Sequence, residues 1–259
     1  MISKQKIEFI RSLSTKKERE KAGLFVAEGE KLVFDLLQTS LKPVEFYCTG
    51  EALSSPGHTK MPAHAEIIRD KDMERISAFK NPSNLLALFE IPGISPLSGE
   101  SFLSLNLVLD RIQDPGNFGT IVRTADWFGI RNLFCSTDCA DIFNPKCVQS
   151  SMGAIARVQA HYLDLPELLQ QAASLQIPIY GSYMDGENVF AAELSTNALI
   201  VMGSEGKGIS PGLESYLSKR ISIPPYPAGT NSLESLNVAV SASILCAEFR
   251  RRQIPSGLL

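Results

Sequence analysis

The chain has 259 residues, 44% hydrophobic and 20% charged, with a net charge of −3. That is ordinary globular composition, long enough for one large or two modest domains, and it carries no global basic signature for nucleic acid. Five scattered cysteines exclude a disulfide framework, no run reaches the length of a membrane span, and the basic N-terminus lacks an apolar signal core, so the chain reads as soluble and cytoplasmic.

In chain order, Ile7, Ile10 and Leu13 mark a first helical face, and Thr15 is placed to cap a second, charged helix ending at Gly23. Positive charge is local here. The first 21 residues hold Lys4, Lys6, Arg11, Lys16, Lys17, Arg19 and Lys21 against three glutamates, either a solvated helical face or a nucleic-acid contact. Leu24–Ala27 is a short strand, Glu30–Gln38 a helix, Val44–Cys48 and Glu66–Ile68 strands, Lys71–Ser77 a helix capped by Asp70, and Leu85–Phe89 a final strand. The Pro/Gly/Ser-rich stretch Ile91–Glu100 has no periodicity and reads as a linker. The expected division is 1–93, a linker over 94–103, and 104–259.

The second part alternates strand and helix. Strands are expected at Leu105–Leu109, Asn132–Cys135, Gln159–Leu163, Pro178–Tyr183, Ala198–Met202 and Arg220–Ile223, with helices at Asn117–Phe128, Pro145–Met152, Pro166–Leu175, Pro211–Leu217 and about Leu236 to Arg252. This alternation predicts an α/β fold: a mostly parallel sheet with helices on both faces. Cys135, Cys139 and Cys147 are the nearest thing to a metal cluster, but only His161 lies close in sequence as a fourth ligand, so buried thiols are expected and no metal.

Three segments carry chemistry. In Asp110-Arg-Ile-Gln-Asp-Pro-Gly-Asn-Phe-Gly-Thr-Ile-Val-Arg123 a strand turns into a helix, at the edge where α/β proteins place ligands. Asn117 reads as its N-cap, and Arg123 falls within an otherwise apolar helix, where it either reaches solvent or meets an anion. Gly203-Ser-Glu-Gly-Lys-Gly208 also follows an apolar strand. It is not a Walker loop, because Lys207 precedes Gly208, and it is not a dinucleotide fingerprint, so its bare positions suggest a different ligand. Ile223-Pro-Pro-Tyr-Pro-Ala-Gly leaves the sheet as a stiff loop and leads through Asn231-Ser-Leu-Glu-Ser-Leu-Asn237 into the last helix. Ser235 reads as that helix's N-cap, which leaves Asn237 unexplained. Small residues at Ala239, Ala242, Ser243 and Ala247 allow a close neighbour, either in the core or across a subunit interface, and Arg250–Arg252 suit the helix's negative end. None of the three segments contains a histidine. Asn117, Arg123, Glu205, Ser235 and Asn237 suit alignment and anion stabilisation better than proton shuttling.

These three ordered segments resemble the motifs of the SpoU/TrmH family of RNA ribose methyltransferases, within the SPOUT superfamily. The resemblance spans the second part of the chain, and Ser151-Met-Gly153 also looks like a family segment. It implies an enzyme that binds S-adenosylmethionine and methylates a ribose 2′-hydroxyl in RNA. It makes Asn117, Arg123, Glu205, Ser235 and Asn237 the catalytic set, and Gly203, Ile223 and Leu236 the cofactor contacts. It further implies a deep C-terminal trefoil knot and a homodimer that uses the last helix. The stretch Pro225–Thr230 looks longer than the family's loop. Phe25-Val-Ala-Glu-Gly29 and Phe79-Lys-Asn-Pro82 resemble an attached substrate-binding domain related to a ribosomal RNA-binding fold, which favours RNA as partner of the basic N-terminus and ribosomal over transfer RNA. A guanidinium, with a pKa above about 12, stays protonated, so Arg123 suits holding phosphate and stabilising negative charge better than acting as base. The rival readings are a non-catalytic RNA-binding protein with a vestigial methyltransferase domain, a nicotinamide or nucleotide enzyme, and methylation of a base nitrogen.

Overall fold

The structure, a computed structural model, describes residues 2–54, 61–62, 64–227 and 235–253. The chain divides into two compact units: residues 1–93 with 141–156, and residues 94–140 with 157–259. The sequence assigns the segment 141–156 to the second domain; in the structure it groups with the first unit.

The first unit is a four-stranded sheet. In chain order its elements are α1 (Lys4–Ser12), α2 (Lys16–Ala22), β1 (Leu24–Glu28), α3 (Glu30–Leu37), β2 (Pro43–Cys48), β3 (Glu66–Ile67), α4 (Asp70–Ile76) and β4 (Leu85–Glu90). The strand order is β1-β4-β2-β3, antiparallel except for the β2–β3 pair. Ile7, Ile10, Leu13, Met73 and Ile76 cover one face and pack on Val26, Tyr47, Leu86 and Leu88. Alternation along the strands turns Phe25 and Phe89 the other way; their rings stack at 5.7 Å, and Phe143 lies 5.0 Å from Phe25. Two caps differ from expectation. Arg69, not Asp70, occupies the N-cap position of α4, and the Thr15 hydroxyl donates to the Ser12 carbonyl rather than capping α2.

The second unit is a parallel six-stranded sheet. Its strands are β5 (Leu105–Leu109), β6 (Asn132–Cys135), β7 (Gln159–Tyr162), β8 (Ile179–Asn188), β9 (Ala198–Met202) and β10 (Lys219–Ser222), in the order β10-β8-β9-β5-β6-β7. Central β5 and β9 are buried at every residue, as strands covered on both faces must be. Helices α5 (Pro115–Trp127) and α8 (Val238–Arg251) pack together, with the Thr124 and Ser243 hydroxyls 2.9 Å apart. Helix α7 (Leu165–Ser174) supplies Leu165, Leu168 and Leu169 to the core cluster of Val108, Phe134, Leu199 and Val201.

β8 runs five residues past the expected Tyr183, because Glu187 and Asn188 pair with Ile221 and Ser222 of β10. Pro211–Tyr216 is a 3-10 turn rather than an α-helix, and the expected linker ends in a second 3-10 turn at Gly99–Phe102. The arginines closing α8 act as fasteners. Arg250 Nε donates to the Phe128 carbonyl at 2.7 Å, and Arg252 reaches the carbonyls of Val189, Phe190 and Ala192. Hydrogen bonds from Arg251 and then Arg252 hold the Glu248 carboxyl below its ordinary pKa against the opposing effect of burial.

Helix α6 (Pro145–Ser151) and its flanks belong to the first unit. Arg19 is only 1% exposed. Its Nε donates to Asp141 Oδ2 at 3.1 Å, and its Nη1 donates to the carbonyls of Leu13 and Ser14 at 2.8 and 2.9 Å. Removing one member of a buried pair strands the other charge, at a cost of about 3–5 kcal/mol. Asp141→Ala is therefore expected to lower unfolding free energy by about 3 kcal/mol in urea denaturation; a change below about 0.5 kcal/mol, the usual effect of a surface substitution, would contradict the pairing.

Candidate active site

In the strand order β10-β8-β9-β5-β6-β7 the direction of winding reverses between β9 and β5, and open α/β sheets bind ligands at such a point, beyond the carboxyl ends of the strands. The chain leaves β5 at Asp110, β9 at Gly203 and β10 at Ile223, so the three sequence segments meet there.

Asn117, Glu205 and Asn237 form one hydrogen-bonded node. Asn117 Nδ2 and Asn237 Nδ2 each donate to Glu205 Oε1 at 2.8 Å, and Asn237 Nδ2 also lies 3.1 Å from Asn117 Oδ1. Asn237 is the N-cap of α8: its Oδ1 accepts from the backbone N–H groups of Ala239 and Val240 at 3.0 and 3.3 Å. The expected caps are thus corrected at both helices. Asp114 caps α5, accepting from Asn117 N at 2.8 Å, which places Asn117 inside the first turn with its amide free for the node. Ser235 lies two residues before the true cap, exposed, and leaves that role to Asn237.

Two cavities adjoin the node. The larger, about 920 Å³, is walled by Met202, Gly203, Ile209, Ile223 and Leu236, with Ser235 on its rim. The smaller, about 330 Å³, is lined by Arg111, Gln113, Asp114, Asn117, Asp138 and Lys207. They share Ser204, Glu205 and Val238. Gly203, Ile223 and Leu236, expected as cofactor contacts, therefore all line the larger cavity. Arg123 lines neither; it is exposed on α5, six residues beyond Asn117.

Sequence reasoning missed what holds these loops. Buried Asp110 accepts from Ser210 N at 2.6 Å, which ties the end of β5 to the chain after β9. Arg111 sits at φ +59°, an uncommon conformation for a residue with a side chain. Its N–H donates to Ser136 Oγ at 2.9 Å, Ile112 N donates to Cys139 Sγ at 3.3 Å, and Ala140 N donates to the Ile112 carbonyl at 2.8 Å. A hydrogen bond from Cys135, with others from Ser136 and Ile112 N, lowers the pKa of the Cys139 thiol despite its burial. A polar residue at the carboxyl end of an apolar strand was the one available signal for Asp110; nothing local marks Ser136 or Cys139.

The glycine-rich turn also has a different cause from the one expected. A Cβ on Gly203 would stand 2.2 Å from Gly208 C and 2.3 Å from Ile209 N, so the chain's own return empties this position, not a ligand. Ser204 and Gly208 close that turn through reciprocal backbone bonds of 3.1 and 2.8 Å.

In the first unit, Lys4, Arg11, Lys16, Lys17 and Lys21 are exposed. Lys6 is half-buried and donates to Glu45 Oε1 at 2.8 Å. Arg19 is withdrawn from the expected RNA-binding set, because its guanidinium is buried and committed to Asp141, Leu13 and Ser14. No group of three or more metal-ligating side chains occurs among the described residues, and no described helix is long and apolar enough to cross a membrane.

A family model described as the SpoU rRNA methylase family matches residues 104–247. The chain belongs to the SpoU rRNA methylase family. A second model, the MRM3-like substrate binding domain, matches residues 4–87 ahead of this SpoU region. The 23S rRNA (guanosine(2553)-2′-O)-methyltransferase RlmP of Bacillus subtilis is 28% identical over 262 residues, covering 95% of this chain and 96% of its own. A solved structure from Porphyromonas gingivalis, assigned to the TrmH family of RNA methyltransferases, is 41% identical with a TM-score of 0.80, covering 97% and 99%. The SpoU methyltransferase AviRb of Streptomyces viridochromogenes, solved in complex with AdoMet, shares the fold at 21% identity and a TM-score of 0.82, covering 97% and 98%.

The closeness at Gly203 gives a test. Gly203→Ala is expected to cost about 1–3 kcal/mol by overpacking against rigid backbone. Gly206→Ala, with nothing within 4 Å of the added atom, should stay within about 0.5 kcal/mol of the parent. Equal urea midpoints for the two variants would contradict the close return of the chain.

Proposed function

We propose that this chain transfers the methyl group of S-adenosylmethionine to the 2′-hydroxyl of a ribose in ribosomal RNA. The observation that carries this reading is the node of Asn117, Glu205 and Asn237 between two adjoining cavities, built from the segments that match the SpoU family model. Relatives named for 2′-O-methylation of 23S rRNA, among them RlmP and the RlmB of Neisseria meningitidis, support the substrate.

The larger cavity fits the cofactor's chemistry. Met202, Ile209, Ile223 and Leu236 offer apolar walls for a purine, and Glu205 and Asp185 line the same cavity with carboxylates suited to positive charge. When bound, S-adenosylmethionine supplies an electrophilic methyl group on a sulfonium. The protein's part is position and electrostatics.

Both asparagine amides donate to Glu205 Oε1, and among the described residues no hydrogen bond reaches Oε2. That oxygen accepts a hydrogen bond from the ribose hydroxyl. Glu205 takes that proton as the oxygen attacks the methyl carbon, so the oxygen carries negative charge during the transfer. Arg123 holds an RNA phosphate and stabilises charge on the attacking oxygen, with Ser235 at the rim orienting acceptor or cofactor. The exposed cations of α1 and α2, namely Lys4, Arg11, Lys16, Lys17 and Lys21, contact the RNA backbone in the domain that matches the substrate-binding model. Trp127 on α5 and Val240 on α8, 84% and 48% exposed, offer apolar surface for the homodimer that the family resemblance implies. The C-terminal knot belongs to the same proposal; the chain it would thread includes residues 228–234, outside the described residues, as does the far end of the Pro225–Thr230 loop.

The test is methyl transfer from labelled S-adenosylmethionine to rRNA from cells lacking the protein, followed by alkaline hydrolysis. One alkali-resistant linkage is expected, since a methylated 2′-oxygen cannot attack its phosphate; label at an alkali-sensitive site would refute ribose methylation. Arg123→Ala is expected to keep cofactor affinity and lose at least about 100-fold in turnover, the scale on which removing one transition-state donor acts. Unchanged turnover would remove Arg123 from the site.

A further inference from the structure

We infer that the smaller cavity reads the base of the acceptor nucleotide, that Asp138 is its specificity-determining residue, and that the base is guanine. This rests on the methyltransferase reading above.

The cavity is the right neighbour for an acceptor. It meets the larger cavity along Ser204, Glu205 and Val238, so a nucleotide placed in it abuts the donor beside the Glu205 carboxylate. Its wall carries both signs of charge: the Arg111 guanidinium and Lys207 ammonium stand with the carboxylates of Asp114, Asp138 and Glu205. Three carboxylates against two cations repel a phosphate. They suit a neutral ring that presents donors and acceptors along one edge, as an unstacked base does when enzymes act on its nucleotide.

The side chains differ in what they have left to give. Asp114 caps α5, and Glu205 is committed to the two asparagines through Oε1 and, in the reading above, to the ribose hydroxyl through Oε2. Asp138 is exposed; its Oδ1 accepts from Ser136 Oγ at 2.6 Å, and among the described residues no bond is formed at its Oδ2. Ser136 Oγ in turn accepts from the backbone N–H of Arg111 at 2.9 Å, so the Asp138 carboxylate and the Arg111 backbone are fixed through one hydroxyl. Arg111 spends Nη2 on the Gly208 carbonyl at 3.3 Å, and its buried Nε forms no hydrogen bond, only an ion pair with Asp110 at 3.3 Å. The cavity is thus lined by a carboxylate with an unbonded oxygen together with the cations Arg111 and Lys207 and the amide of Gln113.

Guanine matches that pairing. Its Watson–Crick edge places two adjacent N–H donors next to a carbonyl oxygen, which suits a carboxylate beside a cation. Uracil offers one N–H between two carbonyls, and adenine and cytosine each pair an amino group with a ring acceptor, so each leaves the carboxylate short of a donor or facing a lone pair. An unpaired polar group at such an edge is what gives hydrogen-bonded sites their high discrimination.

The experiment uses the full-length protein, labelled S-adenosylmethionine, and rRNA from cells lacking the protein, both deproteinised and in ribosomal particles. The product is digested to nucleosides and the methylated one identified by mass spectrometry. 2′-O-methylguanosine is expected. Asp138→Asn, which keeps the side chain's shape, is expected to raise KM for that RNA at least tenfold with S-adenosylmethionine affinity unchanged, and Gln113→Ala to raise it less. Another 2′-O-methylnucleoside, or an unchanged KM in Asp138→Asn, overturns the inference and leaves ribose methylation standing. No label in the RNA overturns both.

Discussion

The structure of the second unit turns on one constraint: three strand ends and two helix starts must be held in register where the parallel sheet opens. The Asn117–Glu205–Asn237 node meets it. Its members are separated by 88 and 32 residues along the chain, and each follows a different strand of the sheet. The two amide donations to the Glu205 carboxylate tie the turn after β9 to the starts of both helices, at solvent-exposed positions where each bond contributes less than the roughly 1.5–3 kcal/mol of a charged hydrogen bond. Asn237 adds a second task, because the same amide that meets Glu205 through nitrogen caps α8 through oxygen. Helix position and site geometry are therefore set by one side chain.

Around that node the supports run deeper than the cavity walls. Asp110 binds Ser210 across the β5–β9 boundary, and Ser136 and Cys139 grip the backbone of Arg111 and Ile112 from the other side. The turn leaving β5 is thus held from two neighbouring strands, which allows Arg111 its positive φ. A site that acts by alignment needs such rigidity more than it needs a shifted pKa.

The parallel sheet was legible because its buried strands are continuous apolar runs: β5, β6 and β9 lie where the periodicity puts them. The second half of β8 was not, since Asp185, Glu187 and Asn188 carry no apolar alternation, and Glu187 and Asn188 pair with β10. The caps failed for a local reason. Asp114 and Asn117, or Ser235 and Asn237, are equally good capping types a few residues apart, and only the geometry of the turn decides which one serves. Arg19 failed for a distant one: its partner Asp141 lies 122 residues away, so its charge counted with the basic stretch expected to meet RNA. The polar residues of the three motifs were readable as a set, yet neither their bonding to one carboxylate oxygen nor the placing of Arg123 outside both cavities follows from spacing.

The central claim is that Asn117 and Asn237 act through Glu205 as one unit. A double-mutant cycle of Asn117→Ala and Asn237→Ala, read by single-turnover methyl transfer to rRNA at saturating S-adenosylmethionine, tests it most directly. Coupled residues behave non-additively, so the double variant is expected to lose little more rate than the worse single variant. Losses that multiply, so that the two free-energy changes simply add, would show that the asparagines work independently and that the node is not the unit of function.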